Sequence, residues 1–97
     1  MTEAEKWAEY DRTEHALGIL ISHFSACIYA EKKGEEPDQE QIEEWRNKRS
    51  ELMQLRRTLT VEDMATIGLV NKTYVPKAQA VIRQTRHAVE QGKGVIP

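Results

Sequence analysis

The chain has 97 residues, of which 39% are hydrophobic and 31% charged, and a formal net charge of −2. That length holds one domain, and the composition is that of a globular soluble chain rather than a disordered one. A single cysteine, Cys27, excludes an internal disulfide and fits a reducing compartment. The opening "MTEAEKWAEYDR" is acidic and has no basic leader region, so the expected location is the cytoplasm.

The net charge hides an asymmetry. Residues 1–44 hold 12 acidic and 4 basic groups, and residues 45–97 hold 4 acidic and 10 basic. Such a split marks either a basic face for nucleic acid or an acidic partner, or two halves that lie against each other.

The expected fold is all-α: an elongated antiparallel helical hairpin followed by two shorter helices, one domain over 1–92 with a flexible tail at 93–97. The first helix is expected at 3–33. Thr2 and Glu5 form a capping box, each side chain satisfying a free backbone N–H. Trp7, Tyr10, Glu14, Leu17, Ile21, Phe24 and Ile28 step 3, 4, 3, 4, 3, 4 along one seam. Lys32 and Lys33 suit the negative end of the helix dipole, and Gly34 follows. About 45 Å of helix is long for a compact globule of this size, hence the elongated shape.

"GEEPD" breaks the chain, and Asp38 caps a second helix expected at 39–59. Gln41, Trp45, Lys48, Leu52, Leu55 and Leu59 share its inner face. Folding the hairpin about its loop brings Phe24 to Trp45 and Lys48, and Glu14 to Arg56 and Arg57. The acidic start of the first helix then neutralises the basic end of the second, leaving Arg46 and Arg49 as the freer pair. Thr60 is expected to open a third helix at 61–70, weakened by Gly68 and Asn71. Pro76 suits the first turn of a fourth, at 76–91, ended by Gly92.

No residue pattern carries an enzyme's chemistry, and no cofactor or metal is expected. His23 and Cys27 stand four apart on one helix, the spacing of a metal-ligand pair, but no second pair exists and both fall in the apolar arc. The acid pairs Glu35–Glu36, Glu43–Glu44 and Glu62–Asp63 sit at helix starts, where the dipole favours them. The segment "TVEDMATIGLVNKTYV" resembles the helix-turn-helix of small bacterial and phage regulators. The likeness covers about 20 residues, and its turn glycine, Gly68, falls one position early. Pro76 lies inside what would be the recognition helix. The resemblance implies Asn71, Lys72, Thr73 and Lys77 in a major groove and a DNA-binding regulator acting through residues 60–87.

The run "ALGILISHFSACIYA", from Ala16 to Ala30, is too short to cross a bilayer, which needs roughly 20 residues. Its apolar arc is roughly 220° wide, against the ~100° one partner helix covers. Ile19, His23 and Ala26 lie on the part a hairpin leaves bare. Either the later helices complete a monomeric bundle over them, or they form a homodimer seam or a docking face. The expected function is therefore contact with a protein partner, as an adaptor, inhibitor or regulatory subunit. Two charged surfaces are the other candidates for the contact: Glu3, Glu9, Asp11, Glu35, Glu36 and Glu40, or Arg46, Arg49, Arg83 and Arg86.

Overall fold

The computed structural model describes residues 1–90, with side-chain surroundings through Arg86. It contains three α-helices, α1 (Glu3–Lys32), α2 (Gln39–Thr58) and α3 (Met64–Glu90), and no strand among the described residues. The expected tail at 93–97 and the helix end at Gly92 lie outside them.

The first two helices start where local chemistry tells them to. Thr2 Oγ1 accepts from the Glu5 N–H at 3.1 Å, and Glu5 Oε1 accepts from the Thr2 N–H at 2.8 Å. The bonds to Thr2 hold the Glu5 carboxyl below its ordinary pKa. At the far end of α1 the Lys33 ammonium lies 4.5 Å from the centre of the Tyr29 ring. Asp38 caps α2 by accepting from the Gln41 N–H, and its own N–H donates to Glu31 Oε2 at 3.0 Å, tying the end of α1 to the start of α2. The two helices then run antiparallel. The Arg49 guanidinium donates to Ser25 Oγ at 3.1 Å. One heptad nearer the N-terminus of α1 and one nearer the C-terminus of α2, the Arg56 guanidinium lies over Gly18.

The two short helices expected after the hairpin are one helix. The start is not Thr60: residues 60–63 form a turn, and Asp63 caps α3 through the Thr66 hydroxyl at 2.7 Å and the Thr66 N–H at 3.2 Å. Those bonds lower the Asp63 carboxyl pKa. The helix then continues through Gly68, Asn71 and Pro76. Pro76 removes the bond to the Lys72 carbonyl and crowds it, at a cost of about 3 kcal/mol in a helix interior. Both residues are exposed, so that carbonyl can turn to water. On the inner side Ile67, Val70 and Ala78 are buried, and Tyr74 and Val81 pack against the core. This stripe runs at helical spacing straight across Pro76, and its burial holds the two halves in line. With no turn at Gly68, the helix-turn-helix geometry does not form.

Both α2 and α3 pack on α1, and their backbones do not approach each other among the described residues. The central helix is therefore the one carrying the wide apolar arc. Its buried residues are Thr13, Ala16, Leu17, Leu20 and Ile28, a set turned from the expected seam toward α3. Trp7 stays 49% exposed because α2 ends short of it. Leu17 and Ile67 are fully buried in one cluster with Ala16, Leu20, Leu52, Leu59, Val70 and Ala78. Thr13 is also fully buried, its hydroxyl donating to the Glu9 carbonyl at 2.8 Å. The result is long and flat, 51 × 31 × 18 Å. Its radius of gyration is 15.9 Å, against about 13 Å for a compact chain of this size.

Candidate functional site

Because the backbones of α2 and α3 flank α1 without approaching each other among the described residues, α1 keeps two sides that neither helix covers fully. One is a groove of ≈ 340 Å³ with half-buried Phe24 and Tyr74 on its walls, buried Leu20 and Leu52 beneath, and Lys48, Glu51 and Lys77 at the rim. The Lys77 ammonium lies 5.3 Å from the Tyr74 ring centre. The other lies half a helical turn away. It is a shallow groove of ≈ 630 Å³ along Gly18, Ile19, Ser22, His23 and Ala26, with Arg56 on the α2 side and Val81 and Thr85 on the α3 side. Glu14, His15 and Ile21 complete it.

The structure thus brings Ile19, His23 and Ala26 together on one open face. Helix α3 covers this face only in part. Ile19 packs against the core and His23 is half-buried, while Ala26 remains exposed. Gly18, Ser22, Arg56, Val81 and Thr85 belong to the same face and were not singled out from the sequence. Gly18, Ser22 and Ala26 follow one another at a spacing of four, which puts all three on one line of the helix. Arg56, Val81 and Thr85 arrive by tertiary packing alone. The Arg56 guanidinium covers Gly18, lying 3.7 Å from where a Cβ would stand, an ordinary van der Waals contact.

The charged candidates are scattered rather than gathered. Glu3 pairs with Lys6 at 3.5 Å, and Arg46 with Glu43 at 3.7 Å. Arg49 is engaged with Ser25, so Arg46 and Arg49 are not the freer pair expected. Glu9 accepts from the Asn71 amide at 2.6 Å and is half-buried. Asp11, Glu35, Glu36, Glu40, Arg83 and Arg86 are exposed on separate stretches of the three helices and the first loop. Glu14, Arg56 and Arg57 do share one surface depression with Ile21 and Met53. Even so, the ion pairs of the described residues are all within single helices.

The residues assigned to DNA by the helix-turn-helix likeness do not share a face. Asn71 turns inward to Glu9, and its Oδ1 is buried without a hydrogen-bond partner. The Thr73 hydroxyl donates back to the Leu69 carbonyl, Lys77 lies by the Tyr74 ring, and Lys72 is exposed. His23 Nε2 and Cys27 Sγ are 3.6 Å apart. Burial pushes the Cys27 thiol pKa up, which works against a thiolate nucleophile. Among the described residues no three His, Cys, Asp or Glu side chains converge on a metal position, and no helix is long and apolar enough to cross a membrane. No protein-family model, curated protein or solved structure matches the chain, so its function is read from its own residues.

Proposed function

We propose that this chain is a small non-enzymatic protein that works in the cytoplasm by protein–protein contact, as an adaptor, inhibitor or regulatory subunit. The face used is the open side of α1 between Arg56 and Val81. One observation carries the reading: two helices pack on α1 and it still presents Ile19, His23 and Ala26 in a groove. Ile19, Ile21 and Val81 give the groove its apolar part, Ser22 and Ala26 keep its floor low, and Arg56 and Thr85 stand on its two sides. A helix lying in an apolar groove is a common mode of recognition. Binding there needs no reaction step, only shape and a match to the Arg56 guanidinium and Glu14 carboxylate at one end.

The test is Ala26→Arg, which places bulk and charge on the floor at an exposed helical position that tolerates arginine. Capture from native host extract by the wild-type chain, and loss of the captured protein by tenfold or more with the variant, is the expected result. Equal capture by both, with unchanged helical circular dichroism, contradicts the assignment of the face.

A further inference from the structure

We infer that α3 is jointed at Pro76, and that its second half, from Lys77 on, is a cover that lifts off α1 while the first half stays docked. Its release takes Val81 and Thr85 away from Ile19 and His23, which line one groove with them when it is docked. This side of α1 then has a narrow form and a wide one. The joint stands on the fold alone; its use as a gate rests on the docking reading above.

The two halves of α3 are held very differently. In the first, Ile67 and Val70 are buried, and Met64, Tyr74 and Val75 pack against the same cluster. The Asn71 amide also donates to Glu9 of α1 at 2.6 Å. In the second half, Ala78 is buried, two residues past the proline. Over 79–86 no residue is buried: Ala80 and Val81 are half-buried and the rest are exposed. Val81 alone of that stretch packs on the core cluster, and Ile82 is 40% exposed. The Thr85 hydroxyl donates to the Val81 carbonyl of its own helix. Segments with few buried apolar contacts open at a fraction of the free energy that unfolds the whole domain.

The proline sits where that grip changes. Pro76 has no N–H to give the Lys72 carbonyl, and its ring disfavours the helical conformation at Val75. A helix is cooperative because each new bond extends an existing run, so the missing bond weakens the coupling between the halves. Once off α1, the stretch from 77 to the end of α3 has a length at which isolated helices are marginal in water, roughly 12–15 residues. Release and unwinding therefore go together, and the backbone amides report them.

Amide hydrogen exchange on the isolated chain tests the joint. Residues 81–86 should share one level of protection, about a hundredfold or more below that of residues 70–74, with the drop falling as a step at Pro76. Pro76→Ala restores the missing bond and should raise protection over 81–86 by about tenfold or more. Equal protection on both sides of Pro76 overturns the cover. So does a gradual decline toward the helix end, which is ordinary fraying. Protection over 81–86 that Pro76→Ala leaves unchanged overturns the joint at that residue. No partner takes part in this measurement, so its failure leaves the docking face standing, and capture that is indifferent to Ala26→Arg removes the docking face and leaves the joint standing.

Discussion

Leu17→Ala should cost about 3–4 kcal/mol of stability, the range for a fully enclosed leucine whose site cannot collapse. Leu17 has no exposed surface and sits where α2 and α3 both close on α1, in one cluster with Leu52, Ile67 and Val70. A domain of this size holds roughly 5–10 kcal/mol in all, so the substitution removes a third or more. Urea denaturation should show the midpoint falling with little change in slope, and Tm falling by roughly 15–25 °C. The control is Leu69→Ala on α3. Leu69 is 68% exposed, and its truncation should stay within about 0.5 kcal/mol. Similar losses at the two positions would mean that α1 is not the helix on which the others pack.

Pro76→Ala should act in the opposite direction and raise stability by about 2 kcal/mol. Alanine restores the backbone N–H and relieves the clash with the Lys72 carbonyl, a gain of about 3 kcal/mol in a helix interior. The unfolded chain gains freedom when proline is removed, which returns about 0.4–1 kcal/mol of that. Pro76 is exposed and makes no contribution to the buried stripe of Ile67, Val70 and Ala78, so nothing in the packing offsets the net gain. A higher denaturation midpoint checks this. A lower one would show that a bend at Pro76 is needed to seat Tyr74 and Val81 on the core.

Pro76 also shows where sequence reading fails. Helices α1 and α2 were legible within a residue or so, because Thr2 with Glu5 and Asp38 with Gln41 are local start signals acting across three residues. In α3 the local signals, Gly68 and Pro76, spoke for a break. They were outweighed by a stripe whose value comes only from α1 lying beneath it. The face with Ile19, His23 and Ala26 was legible because an apolar arc wider than one partner needs is a property of α1 itself. Its walls were not, since Val81, Thr85 and Arg56 reach it through chain reversals far away in sequence. Charge misled for the same reason. Glu14 and Arg56 do come near one another, but Lys6 with Glu3, Arg46 with Glu43 and Lys48 with Glu44 pair within their own helices. Such neighbours are fixed by the helix alone and need no tertiary alignment.

The open face of α1 is tested most directly by the reactivity of a thiol placed on its floor. In a Cys27→Ser background, Ala26→Cys should label with maleimide as fast as Lys72→Cys when the purified chain is dilute, since both positions are exposed. In native host extract, labelling at position 26 should slow by tenfold or more while labelling at position 72 stays fast. Equal labelling of the two positions under every condition would contradict the claim that a protein chain occupies this face.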